Sequence, residues 1–377
     1  AAADTMVSSG IAALREVRAS LGARDARIRA SVRSRAGANG GASLSSGASV
    51  HAGAGPSLHE SRHDGRRFRN AEQGSQVSAR VFAAAARSMV GRNGAGHPAR
   101  PVPVEAPGFP STASDLAVTW LGHATVLLEV DGYRVLADPM FSRRASPASF
   151  LGPSRLHRMP VTAAELPPLD AVLISHDHYD HLDRETVADL VRATDAPLLV
   201  PLGIGAHLRA WGVPAARIVE LDWGGGHDVG ALTLRCTPAR HFSGRGLTRN
   251  ATLWSSWAVI GPSRRVFFGG DTGYTRAFAD IGREQGPFDL TVLPIGAYSD
   301  AWPDIHLTPE QAVAAHRDLR GEVLLPIHWA TFDLAPHPWA EPADRLLRAA
   351  DGVTLALPPP GRRLDLPLDS AAEPWWV

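Results

Sequence analysis

The feature that most limits how this chain can fold is one short stretch, Ala171-Val172-Leu173-Ile174-Ser175 running into His176-x-His178-x-Asp180-His181. An apolar run ends, and three imidazoles and a carboxylate then crowd into six residues. On an extended chain, positions i and i+2 point the same way. His176 and His178 can therefore grip one ion while the following turn offers Asp180 and His181 to a second. Histidine and carboxylate donors suit zinc, with manganese or iron as alternatives. A polar loop or a surface histidine cluster would account for the composition of this stretch but not for its spacing.

One cluster cannot complete two ion sites, so more His and Asp are required at strand ends further along, and they are present. His241 ends the run from Leu232 to Arg240. Asp271 follows Val266-Phe267-Phe268-Gly269-Gly270, where paired glycines let the backbone approach closely. His328 ends Val323-Leu324-Leu325-Pro326-Ile327. Taken singly, each is more readily a hydrogen-bonded loop residue; the joint pattern reverses that reading. Three further residues stay open. His123 is either a hydrogen-bond partner for a ligand carboxylate or a turn histidine. Asp138, before Pro139, either orients a ligand imidazole or marks an ordinary turn. His306 precedes the capped helix start Thr308-Pro309-Glu310-Gln311 and either touches substrate or only sits in its loop.

Composition narrows the setting. The 377 residues and 44% apolar content are enough for a real core. Formal charge is zero, but residues 1–70 carry eleven Arg against five acidic residues, and the chain has no Lys. The single cysteine, Cys236, rules out an internal disulfide and a Cys-rich zinc site. No apolar stretch approaches the roughly 20 residues that span a bilayer. Basic residues do not interleave with aromatics along a stripe, so nucleic-acid binding is not indicated. No Gly-x-Ser-x-Gly elbow follows a buried strand, and the glycines at 203–205 and 224–226 lack the context of a nucleotide loop. His157, His207, His227, His316 and His337 have no partner pattern and fall to surface or packing roles.

Residues 1–57 form a basic, Ala-, Gly- and Ser-rich leader, expected to be largely disordered. Residues 58–114 are expected to be an extension and Pro-rich linker packed on the main domain, which runs over 115–377. There β-type runs alternate with helix-like segments. Strands are expected over Leu116 to Val130, Tyr133 to Ala137, Ala171 to Ser175, Pro197 to Val200, Arg217 to Leu221, Ala231 to Thr237, Leu253 to Ile260, Arg265 to Gly269, Leu290 to Leu293 and Val323 to Ile327. Helices are expected over Arg184 to Arg192, Gly205 to Trp211, Arg276 to Gln285, Pro309 to Leu319 and Pro342 to Ala350. Strands that so often precede helices imply a layered α/β architecture.

The His-x-His-x-Asp-His signature resembles that of the metallo-β-lactamase superfamily. The surrounding text is similar to its N-acyl-phosphatidylethanolamine-hydrolysing phospholipase D group over roughly residues 60–360. The specific stretches include Trp120-Leu121-Gly122-His123-Ala124-Thr125, Asp138-Pro139, Ile174 to Asp183, Glu220-Leu221-Asp222-Trp223, Gly269 to Tyr274, Pro294-Ile295-Gly296-Ala297-Tyr298 and Ile327-His328-Trp329. The resemblance implies a four-layer αββα sandwich with two zinc ions at the edge between its sheets. One ion would be held by His176, His178 and His241, the other by Asp180, His181 and His328, with Asp271 bridging. His306 would lie at the substrate, and Asp180 would orient the nucleophile.

The implied activity is a metal-dependent hydrolase using a bridging hydroxide. It would be a phosphodiesterase of the phospholipase D type, acting on N-acylated phosphatidylethanolamine or a related phospholipid in lipid metabolism. A lactonase acting on a sugar-phosphate or acyl lactone is the alternative within enzymes, and a metal-binding regulatory protein the alternative outside them. Expected partners are the phospholipid or other phosphodiester, a peripheral membrane contact and, left open, a second copy in a homodimer. The expected location is cytoplasmic or peripheral to a membrane, with export open because the chain begins at Ala1. Two departures bear on substrate. Ser299-Asp300-Ala301-Trp302-Pro303-Asp304-Ile305 is shorter and more acidic than the family's apolar loop. Gly65-Arg66-Arg67-Phe68-Arg69-Asn70 continues into Ala71-Glu72-Gln73 where the family has Pro and Trp.

Overall fold

The computed structural model of the chain describes residues 60–72, 74, 89, 94–147, 150–245, 248–369 and 373–377. The leader expected over 1–57 lies outside them. A short hairpin, β1 (Arg62–His63) and β2 (Phe68–Arg69), comes first. One seven-stranded sheet then contains β3 (Leu116–Gly122), β4 (Thr125–Val130), β5 (Tyr133–Ala137), β6 (Ala171–Leu173), β7 (Leu198–Pro201), β8 (Ile218–Leu221) and β16 (Arg363–Asp365), in the order β16-β3-β4-β5-β6-β7-β8. The second contains β9 (Gly226–Val229), β10 (Leu232–Thr237), β11 (Ser256–Ile260), β12 (Arg265–Phe268), β13 (Phe288–Pro294), β14 (Gly321–Ile327) and β15 (Thr354–Leu355), in the order β15-β14-β13-β12-β11-β10-β9.

Each sheet is half antiparallel and half parallel. Pairings from β16 to β5 are antiparallel and those from β5 to β8 parallel. In the second sheet β9 to β12 pair antiparallel and β12 to β15 parallel. Parallel neighbours need a crossover connection. Helices supply several of these: α1 (Arg184–Ala193) and α2 (Gly205–Ala210) in the first half, α3 (Ala277–Glu284), α4 (Pro309–Asp318) and α5 (Glu341–Ala349) in the second.

The pleat sorts side chains into layers. Val126, Leu128 and Val130 of β4 join the core that also holds Leu234, Trp257, Val259 and Val266 of the other sheet. Leu127 and Leu136 face the opposite way, joining Val187 and Leu190 of α1 and Leu208 of α2. Phe278, Ile281, Ala312 and Leu346 carry α3, α4 and α5 onto the second sheet. The result is the αββα sandwich. Among the described residues no helix is long and apolar enough to cross a membrane.

The strand expected over Leu116 to Val130 is two strands. The pairing of β3 with β4 is irregular between Trp120 and Gly122, and His123 turns the chain with φ +54°. Apolar residues on both sides of Gly122-His123 masked this tight turn. The remaining expected strands and helices are present with ends shifted by at most three residues, while β1, β2, β9, β15 and β16 were not anticipated.

Candidate metal centre

The strand ends of both sheets converge on one place. Beyond β5 lies Asp138; beyond β6 lie Ser175 to His181; beyond β10, β12 and β14 lie His241, Asp271 and His328. Asp138, His123 and His328 all have positive φ (+41°, +54° and +63°), a strained backbone region for residues other than glycine. Gly270 permits the approach of β12 to β6. Its φ is +56°, and a Cβ there would stand 2.5 Å from that of Ser175.

Two groups of four donors result, each with its atoms within 4.8 Å of one another: His176, His178, His241 and Asp271, and His123, Asp180, His181 and His328. His176 Nε2 lies 2.7 Å from His178 Nδ1, which lies 3.3 Å from His241 Nε2. Nitrogens bound tetrahedrally to one zinc stand about 3.3 Å apart. The Asp271 carboxylate reaches both groups. Its Oδ2 is 3.1 Å from His181 Nε2 and 3.7 Å from His241 Nε2, and its Oδ1 is 3.1 Å from His328 Nε2. Asp180 Oδ2 is 3.4 Å from His328 Nε2 and 3.5 Å from His181 Nε2.

The approaches of His181 Nε2 and His328 Nε2 to the two carboxylates are not hydrogen bonds. His181 Nε2, His328 Nε2, Asp271 Oδ1 and His306 Nδ1 are buried without a hydrogen-bond partner. Each unsatisfied buried polar atom costs about 1–3 kcal/mol. A cation among them would satisfy several at once, so the residues present fit a metal.

The outward nitrogens are fixed. His181 Nδ1 donates to Asp138 Oδ2 (2.7 Å), and His241 Nδ1 donates to the Ile305 carbonyl (2.9 Å). Both rings thereby keep the tautomer that leaves Nε2 as the inward lone pair. Asp138 also accepts from Ser175 N (2.6 Å) and Ser175 Oγ (2.5 Å). His123 Nε2 lies 2.9 Å from Asp180 Oδ2. Of the residues left open by the sequence, His123 therefore meets a candidate ligand carboxylate, and Asp138 meets a candidate ligand imidazole. His306 borders the same space, with Nδ1 3.8 Å from Asp271 Oδ2 and its side chain 13% exposed.

Burial pushes His123 and His306 down to about 3 and carries His176 and His241 well below the usual imidazole range. Neutral imidazole is the form that binds metal. His181 and His328 move the other way. Burial opposes their charge, but the carboxylates around them prevail, Asp271 foremost, and His328 is raised to about 9. Burial alone would protonate Asp180 and Asp271; the imidazoles around them, His181 first, hold both well below the carboxylate range.

Sequence reasoning missed several supports. Asn70 accepts from His241 N (3.1 Å) and donates to His241 O (2.8 Å). Thr331 Oγ1 accepts from His123 N (2.7 Å) and lies 3.1 Å from Nε2 of the buried His157. Arg245, stacked over Tyr179 and Trp211, donates to the carbonyls of Asp177 and Leu182 that flank the ligand turn. No local signal marks any of these, because each partner is remote in sequence.

The family model of the beta-lactamase superfamily domain matches residues 133–329. A Mycobacterium tuberculosis protein named as uncharacterized is 58% identical over 294 residues, 76% of this chain and 79% of that one. The N-acyl-phosphatidylethanolamine-hydrolyzing phospholipase D 1 of Caenorhabditis elegans is 40% identical over 251 residues, 63% of this chain and 70% of that one. Among solved structures, a metallo hydrolase from Ignicoccus hospitalis superposes with a TM-score of 0.51 at 24% identity, covering 66% of this chain and 97% of that one, which shows the shared fold.

Proposed function

The chain belongs to the metallo-β-lactamase superfamily of metal-dependent hydrolases, and on that premise we propose that it is a binuclear phosphodiesterase of the phospholipase D type, with N-acylated phosphatidylethanolamine or a related phospholipid as substrate. The observation that carries the binuclear reading is the Asp271 carboxylate, set between two groups of donors, with its own Oδ1 and the inward Nε2 atoms of His181 and His328 buried without hydrogen-bond partners. The relative from Caenorhabditis elegans, by its name, supports the substrate.

In this reading His176, His178 and His241 hold one zinc, Asp180, His181 and His328 the other, and Asp271 both; manganese or iron are the alternatives. The metals would supply a nucleophile at neutral pH and neutralise charge developing on phosphate oxygens. The chain's own residues do the rest. Asp138 and the Ile305 carbonyl hold His181 and His241 in register. His123 fixes the Asp180 oxygen that would orient the nucleophile. His306, neutral at physiological pH because burial lowers it to about 3, serves as a hydrogen-bond donor to a substrate oxygen and not as an acid.

A cavity of about 820 Å³ opens beside His241 and Ile305, lined by arginines. Its charge favours an anionic diester over a neutral acyl lactone. Two measurements test the reading. Metal analysis should return close to two ions per chain, and Asp271→Asn or His178→Ala should abolish turnover. N-acylated phosphatidylethanolamine, a simple phosphodiester and a lactone should then be compared side by side. Full activity in either variant would sink the mechanism, and preference for the lactone would replace the substrate.

A further inference from the structure

We infer that the arginine-lined cleft beside the candidate metal centre receives a second anionic group, a phosphate or carboxylate on the head-group side of the substrate. The inference rests on the phosphodiesterase reading and deepens it.

The cleft runs from the β1–β2 hairpin to His241 and Ile305, so it lies beside a residue of one of the two donor groups. Five arginines line it, Arg62, Arg67, Arg69, Arg240 and Arg249, against two carboxylates, Glu72 and Asp304. Both carboxylates are engaged. Glu72 accepts from Thr275 Oγ1 (2.5 Å) and Arg276 N (2.9 Å), and Asp304 pairs with Arg240 (3.3 Å). Asp64 holds Arg69 at 2.6 Å. Arg62 and Arg67 pair with no carboxylate among the described residues. Arg249 stands 4.2 Å from the centre of the Phe242 ring, and burial followed by the charge of Arg67 lowers its pKa. Like charges gathered at one cleft raise the local potential and attract an anion. The planar guanidinium fork matches carboxylate or phosphate in a way that a point charge does not.

The floor of the cleft is fixed. Phe68 of β2 is buried in the main core and its N–H donates to Asn250 O (2.9 Å); Asn70 grips both backbone groups of His241. The hairpin therefore holds its arginines at a set place relative to His241. Charged walls repel acyl chains, so the polar head group is the part of the substrate that enters.

Matched pairs that differ by one carboxylate test this on the full-length, metal-loaded protein. The lipid pair is N-acylated phosphatidylserine against N-acylated phosphatidylethanolamine in phosphatidylcholine vesicles; the soluble pair is glycerophosphoserine against glycerophosphoethanolamine. The serine form should have the higher kcat/KM, and Arg67→Ala with Arg249→Ala should lower that serine-to-ethanolamine ratio about tenfold. Turnover confined to the vesicles assigns the anion to a lipid, and turnover of the soluble pair to a free diester. In parallel, inorganic pyrophosphate should protect Arg67 and Arg249, but not the distant Arg192, from phenylglyoxal. An unchanged ratio in the double variant, with or without protection, overturns the proposal. If neither pair is hydrolysed, the phosphodiesterase reading fails, and protection alone then decides whether the cleft binds anions.

Discussion

Replacing Asp138 by Asn tests whether the centre depends on a fixed tautomer at His181. The carboxylate is fully buried and accepts from three donors: His181 Nδ1, Ser175 N and Ser175 Oγ. The asparagine is isosteric and keeps one oxygen, which can still serve the Ser175 amide. The other position becomes an NH2 facing the His181 Nδ1 proton, donor against donor. To relieve this, His181 must carry its proton on Nε2, the atom that lies 3.1 Å from Asp271 Oδ2, and it then offers no inward lone pair. Losing the outer partner of a ligand histidine ordinarily costs 10–100-fold in metal affinity, or about 1.4–2.8 kcal/mol. The assay is a competition titration with a chromophoric chelator, read together with metal content after dialysis. On the proposed binuclear reading, one of the two ions should be lost first, while the fold survives because volume is conserved. An Asp138→Asn protein that retains its metal within twofold of the native affinity would refute the argument.

Two further outcomes follow from contacts away from the ligands. Asn70→Ala removes both backbone partners of His241 and should cost about 1–3 kcal/mol of stability, with weakened binding of the ion proposed to sit at His241; unchanged melting and metal content would count against the clamp. The buried His316, its Nδ1 2.7 Å from Thr291 Oγ1, is lowered by burial to about 4 from 6.5. Its unfolded form takes up a proton first, so this contribution is constant above pH 6.5 and is lost as pH falls toward 4, at up to about 1.4 kcal/mol per unit. Between pH 7.5 and 5 the native protein should lose roughly 2 kcal/mol more than His316→Gln; parallel denaturation curves at the two pH values would refute it.

How far the sequence could be read depended on the range of each interaction. The turn from His176 to His181 was legible as a donor cluster because four donors fall within six residues. His241, Asp271 and His328 were legible because each ends an apolar run, and strand ends on one sheet edge meet by topology. Asn70, by contrast, reaches His241 across 171 positions, and His157 reaches Thr331 across 174. Neither pair has a periodicity to betray it, so His157 read as a surface or packing residue and Asn70 as part of the N-terminal extension. Strands two or three residues long, such as β1, β15 and β16, contain too few alternations to register. The turn at His123 was hidden inside apolar residues that continue on both sides.

The same contrast explains why the metal chemistry is more sharply defined than the substrate. The candidate ligands come from both sheets: the β6 turn supplies four residues from the first, and the ends of β10, β12 and β14 supply three from the second. Each ion held there would tie the sheets together, so metal affinity and sandwich stability are linked. A substitution at any one ligand is then felt by the whole fold, and the chemistry leaves a dense mark on the sequence. The arginines of the cleft are under no such constraint. They sit on a two-stranded hairpin and on the segment after β10, and four of the five are exposed. Changing them alters what the cleft attracts while the core beneath keeps its packing. Substrate preference can therefore drift on this scaffold without moving a metal ligand, and for that reason it has to be sought in the hairpin and not in the histidines.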